Sequence, residues 1–138
     1  MRVIVLGATG MLGHKLLQRL RTGFEIAGTV RDPMPDARLC RVLSGIKLYP
    51  GVEARDLSSL EHAMDDWRAQ VVLNCIGIIK QSKTANDPLT SIAINSLFPR
   101  QLAQVTAAHG ARLIHFSTDC VFSGQRGNYV EDDVPDPA

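Results

Sequence analysis

The chain has 138 residues, 45% of them hydrophobic and 21% charged, a size and composition that fit one ordinary globular domain and hardly two. Its formal net charge of +1 leaves no basic footprint for nucleic acid or an anionic membrane surface, so neither is expected as a partner. Three cysteines, Cys40, Cys75 and Cys120, form no CxxC pair and no His-rich spacing, which argues against a disulfide framework or a metal site and for a reducing, cytoplasmic setting.

The opening "MRVIVLGATG" has an apolar run too short for a signal-peptide core or a membrane span. Along the chain, 2–7, 24–30, 46–51, 70–77 and 111–117 are continuous apolar runs rich in Val, Ile and Leu. That pattern predicts strands buried on both faces. Residues 11–21, 58–68 and 88–109 carry apolar side chains at helical spacing. Pro88 suits the first turn of the last helix, Gly110 its end, and Pro99 predicts a kink or break inside it. The stretch 32–45 predicts a loop with at most a weak helix, and "EDDVPDPA" an exposed connection. Strands alternating with helices imply a parallel sheet with right-handed crossovers, an α/β doubly wound architecture.

The chemistry begins with "GATGMLG". Gly7, Gly10 and Gly13 follow the first strand directly and run into the first helix. In such a turn the first glycine permits the tight reversal, the second lets backbone approach a pyrophosphate, and the third allows helix to pack on strand. Amides at the helix start then face the phosphates, with Thr9, Met11 and Leu12 completing the cofactor-contacting stretch. Flanked by strand and helix, the triplet predicts a dinucleotide site of Rossmann type.

At the end of the second strand, Arg31 would clamp the 2′-phosphate of NADP(H). Asp32, just behind it, is the residue type that reads the ribose of NAD(H). NADP(H) is the reading preferred over NAD(H). Asp56 in "ARDLSSL" stands either at an adenine edge or at the N-cap of the following helix.

With "GATGMLG" at 7–13, "RDL" at 55–57, "LNCIG" at 73–77, "NSLFPRQLA" at 95–103 and "STDCVFSG" at 117–124, the chain resembles the extended short-chain dehydrogenase/reductase family. Within that family it is most similar to the dTDP-4-dehydrorhamnose reductase type of sugar-nucleotide enzyme. The resemblance implies cofactor contacts at Asp56, Leu57, Asn74, Cys75, Ile76 and Gly77, with Asp56 at the adenine. It implies that Asn95 holds a structural water of a proton relay, and that Ser117 lies along the cofactor. Thr118 matches the hydroxyl that hydrogen-bonds the substrate carbonyl, and Asp119 a neighbouring substrate or proton-relay group. Read without the family, the Ser117 and Thr118 hydroxyls could satisfy turn backbone, Asp119 could be a turn acceptor and Asn95 an ordinary polar helix position.

One family feature is missing. Its Tyr-x-x-x-Lys pair has no counterpart, since Glu53 stands four residues after Tyr49 and Asp133 four after Tyr129. The chain therefore reads as one dinucleotide-binding domain over 1–138, truncated before the catalytic helix and the C-terminal substrate-binding part. The parent reductase would act on a nucleotide-activated 4-keto sugar. The alternatives are an NAD-dependent epimerase or dehydratase fragment and a non-catalytic dinucleotide-binding module. The resemblance implies a homodimer face along helix 88–109, a pattern that burial within one chain would also give.

Overall fold

The computed structural model describes residues 1–32, 37–79, 82, 84, 86–118 and 120–137. Five parallel strands form its sheet: β1 (Arg2–Leu6), β2 (Glu25–Thr29), β3 (Lys47–Tyr49), β4 (Val71–Asn74) and β5 (Arg112–His115), in the order β3-β2-β1-β4-β5. The helices are α1 (Met11–Leu20), α2 (Ala37–Val42), α3 (Leu57–Trp67), α4 (Pro88–Ile92) and α5 (Phe98–Ala108).

β1 lies at the centre, so both of its faces are covered and its run "VIVL" has no polar side to show. Ile4 and Leu6 face one core with Leu60 and Met64 of α3 and Phe98 and Leu102 of α5. Val3 and Val5 face the other, with Leu17 of α1, Ile26 and Leu43. Each buried Leu or Ile in these layers contributes about 1.5–3 kcal/mol by leaving water. The alternation of side chains along β1 thus supports helices on both faces, the doubly wound fold the sequence predicts.

The register brings the strand ends into one row. Leu6 pairs with Thr29 and Asn74, Thr29 with Tyr49, and Asn74 with His115. Chain direction reverses its travel across the sheet between β1 and β4, so the loops leaving these two strands diverge and open a crevice.

Three differences from the sequence reading have physical causes. The strands are shorter than the apolar runs, because residues such as Cys75 and Ile76 belong to the loops beyond the row of strand ends. The long helix does break, but in a π-helical turn over Ala93–Leu97, upstream of Pro99, which falls in the first turn of α5. Phe98 N–H bonds back five residues to Ala93 O, shifting the ladder before the proline removes a donor. Residues 131–137 are largely exposed yet tied down: Asp136 accepts from Ser123 N (3.0 Å) and Ser123 Oγ (2.7 Å), and its own N–H donates to Val121 O (3.0 Å). No helix among the described residues is long and apolar enough to cross a membrane.

Candidate functional site

The turn after β1 is built from close backbone approaches. Gly7 has φ +83°, in the left-handed region, and its N–H donates to Thr29 Oγ1 at 3.3 Å. Ala8 N–H donates to Thr29 O (2.8 Å) and Gly10 N–H to Gly7 O (3.1 Å), which fastens the turn to β2 and closes it on itself. A Cβ on Gly13 would stand 2.1 Å from Gly7 O, so only glycine lets α1 lie this close to the strand. Gly10 is the N-cap of α1 and supplies no capping side chain, leaving the first-turn amides and the positive end of the helix dipole for an anion.

This turn lines a cleft of about 1020 Å³ at the row of strand ends. Gly7, Thr9 and Gly10 form its base, Thr29, Arg31 and Asp32 enter from β2, and Val52 to Arg55 from the loop after β3. The far wall is Cys75, Ile76, Gly77 and Ile78 after β4, with Ser82, Thr84, Thr90 and Ile94 beyond.

The far wall is held by two asparagines. Asn74, fully buried, accepts from Ile76 N–H at 3.0 Å and donates Nδ2–H to His115 Nδ1 at 3.0 Å, so that its side chain fixes the loop from below. Asn95, in the π-helical turn, accepts from Ile78 N–H (2.8 Å) and donates to Ile78 O (2.9 Å). Burial pushes the Cys75 thiol up to about 11, so it sits in the wall as a neutral group.

Of the residues singled out by sequence, Gly7, Thr9, Gly10, Arg31, Asp32, Cys75, Ile76 and Gly77 share this cleft. Gly13 supports it from behind, while Met11 and Leu12 are exposed on the first turn of α1. Asp56 is the N-cap of α3, its Oδ1 accepting from Ser58 Oγ (2.6 Å), Ser58 N (3.1 Å) and Ser59 N (3.4 Å). The hydrogen bond from the Ser58 hydroxyl comes first in holding that carboxyl below its ordinary range. Leu57 packs against the α3–α5 core. Ser117 and Thr118 are exposed beyond β5, outside the cleft wall, and Thr118 Oγ1 accepts from Cys120 N–H at 3.0 Å. Its hydroxyl proton is thereby directed away from that amide. Asp119 lies outside the described residues.

Arg55, Thr90 and Ile94 line the cleft although sequence reasoning passed over them as site residues. Arg55 had a signal, since it precedes Asp56 in the quoted "RDL". Thr90 and Ile94 had none, because only the packing of α4 and the π-helical turn brings them there.

Both tyrosines are committed elsewhere. Tyr49 Oη donates to Asp66 at 2.5 Å, and Tyr129 stacks on Phe122 with ring centroids 4.4 Å apart and carries Arg126 over its ring at 4.9 Å.

A family model described as the RmlD substrate binding domain matches residues 1–138. The chain belongs to that family. It is 30% identical over 135 residues to a dTDP-4-dehydrorhamnose reductase of Streptomyces griseus, covering 97% of this chain and 38% of the relative. It is also 30% identical over 139 residues to the methionine adenosyltransferase 2 subunit beta of Pongo abelii, covering 99% of this chain and 38% of that one. Among solved structures, a dTDP-4-dehydrorhamnose reductase from Bacillus anthracis in complex with NADP superposes with a TM-score of 0.72 at 25% identity, over 99% of this chain and 43% of the other. The chain thus spans about two fifths of the length of these relatives.

Proposed function

We propose that the chain is the NADP(H)-binding part of a reductase that passes hydride to a nucleotide-activated 4-keto sugar. The observation that carries this reading is the Gly7–Gly13 turn, whose uncapped helix start opens into a cleft at the β1/β4 switch point. The first-turn amides of α1, which Gly10 leaves uncapped and approachable, would hold the pyrophosphate, and Arg31 the 2′-phosphate of the cofactor's adenosine. Cys75 to Gly77, steadied by Asn74 and Asn95, would form the wall along the dinucleotide. Thr118, whose hydroxyl accepts from Cys120 N–H and keeps its own proton to donate, would hydrogen-bond the sugar carbonyl, and Asp119, the next residue in sequence, would be the neighbouring substrate or proton-relay group. The cofactor, once bound, supplies the hydride. The similarity to two dTDP-4-dehydrorhamnose reductases, one of them in complex with NADP, supports the same reading. Exposed Leu89, Ile92 and Leu97 along 88–108 support a second copy of the chain as partner, testable by light scattering.

A second reading is a non-catalytic dinucleotide-binding module. It is supported by the structural commitment of Tyr49 and Tyr129 and by the similarity to a protein named as the beta subunit of another enzyme. The chain is titrated with NADPH and NADH by fluorescence, and a dTDP-4-keto-6-deoxy sugar is then added. NADPH oxidation would overturn the module, and binding without turnover is expected of either reading for a part without the Tyr-x-x-x-Lys pair. Failure to bind either dinucleotide would overturn both, and a preference for NADH moves the ribose contact to Asp32.

A further inference from the structure

We propose that Arg55, held in place by Thr90, recognises the purine of the bound dinucleotide through its ring face, in the role the family resemblance gives to the Asp56 carboxylate at the ring edge. The inference rests on the dinucleotide reading of the cleft.

Sheet order places the purine. The strand ends run Tyr49, Thr29, Leu6 in one row, so the loops after β3, β2 and β1 stand side by side. Val52 N–H donates to Val30 O at 3.1 Å, which carries the pairing past the strand ends and brings the Arg31 and Arg55 segments along one lip. With the pyrophosphate at the turn after β1, the lip of β3 lies two strand spacings away, about 10 Å. That is where the base at the far end of the ribose arrives. There the cleft is walled by apolar Val52 and Ala54, with Ile76 and Ile78 opposite. Such apolar walls suit the faces of a flat ring.

Arg55 is the cation on this lip nearest α3, and Arg31, Asp32 and Glu53 are the other charged residues lining the same end. Its Nη2 donates to Thr90 Oγ1 at 2.7 Å, and the Thr90 hydroxyl donates in turn to Asp87. Asp87 is itself anchored as the N-cap of α4, accepting from Leu89 N–H at 3.1 Å. Thr90 therefore has its proton engaged and a lone pair turned to the guanidinium, so Arg55 is tethered across the cleft before any ligand arrives. A guanidinium fixed by one N–H keeps its planar face for stacking on a π system, which a lysine ammonium cannot offer. Asp56, by contrast, is off the cleft wall, and its Oδ1 is occupied by three donors from Ser58 and Ser59.

The test measures dissociation constants of the full chain for NADPH and for its hypoxanthine counterpart, in which a keto oxygen replaces the purine amine. Face recognition predicts that the wild-type chain binds the two within about threefold, and that Arg55→Lys weakens both about two- to fivefold. Thr90→Val, which removes the tether, should shift both in the same direction by less. An unchanged affinity in Arg55→Lys would overturn the inference. So would a hypoxanthine penalty above about tenfold that Asp56→Asn abolishes, since that is the signature of edge recognition. Failure of the wild-type chain to bind NADPH would instead overturn the cofactor reading on which the inference stands.

Discussion

The carboxamide of Asn95 pairs with both backbone groups of Ile78, accepting from its N–H at 2.8 Å and donating to its C=O at 2.9 Å. An asparagine is suited to this because its amide mirrors a peptide group, one donor beside one acceptor. The residue reaches the loop from the π-helical turn at Ala93–Leu97, where the widened ladder sets its side chain toward the cleft wall. The resemblance assigns this position to a proton-relay water; its direct hydrogen bonds go to the wall that the cofactor would touch.

Asn95→Ala removes both bonds at once. Because the site is exposed, water replaces part of what is lost, and the expected destabilisation is about 1 kcal/mol in urea unfolding. The dinucleotide affinity should fall by more than that figure alone implies, since 75–78 must be re-ordered on binding. Equal affinity in the variant and the wild type would show that the clamp serves the fold only.

The acid limb of stability should depend on Asp66. Lys47, then Tyr49, hydrogen-bonds its carboxylate, and these contacts hold the Asp66 carboxyl below its ordinary range. A depressed carboxyl contributes stability above its unfolded value, and that contribution is lost as pH falls through the folded one, below about pH 4. Tyr49 is raised first by burial and then by its bond to Asp66, and Lys47 is raised first by its bond to Asp66. Their contributions are present below about pH 10 and fade above it. Asp66→Asn should flatten part of both limbs of a melting-temperature profile. Asp56, Asp87, Asp133 and Asp136 are also depressed, so the acid limb should not vanish. An unaltered profile would show that the cluster is too well solvated to matter.

How far the sequence could be read follows from range. Continuous runs such as "VIVL" and "VVLN" are local, and burial on both faces is the usual way to stabilise them in a strand, so sheet and layers are legible. The glycine turn is local as well, because Gly7, Gly10 and Gly13 act within one reversal. Arg55 and Thr90 are 35 residues apart and meet only through sheet order and the placing of α4. The acidic stretch 131–136 looks like a solvated run in sequence, because nothing local marks Asp133 and Asp136 as acceptors for groups at 121–130.

That last segment gives a prediction about dynamics. Asp136 closes a loop whose ends meet at Val121, and Asp133 accepts from Val130 N–H (2.7 Å) and pairs with Arg126. Asp136→Ala should raise amide exchange and proteolytic nicking over 121–137 while leaving β1 to β5 protected, since few core contacts lie in this segment. Exchange that rises equally in the sheet would mean that the loop is part of the global unfolding unit.

Gly10 and Gly13 should separate binding from folding. At Gly13 an added methyl would stand 2.1 Å from Gly7 O and 2.9 Å from Gly7 C, backbone atoms that cannot turn aside. Gly13→Ala must push α1 off the strand, and an overpacking cost of about 1–3 kcal/mol or more is expected. At Gly10 the nearest atom is Gly7 O at 3.4 Å and φ is −71°, which alanine adopts freely. There the loss of a favourable N-cap roughly cancels the reduced freedom of the unfolded chain, leaving stability within about 0.5 kcal/mol. The new methyl would nonetheless occupy the approach a pyrophosphate needs, so Gly10→Ala should cut NADPH affinity at least tenfold with an unchanged urea midpoint. If Gly10→Ala binds as the wild type does, the phosphates do not sit on this turn, whatever the cleft holds.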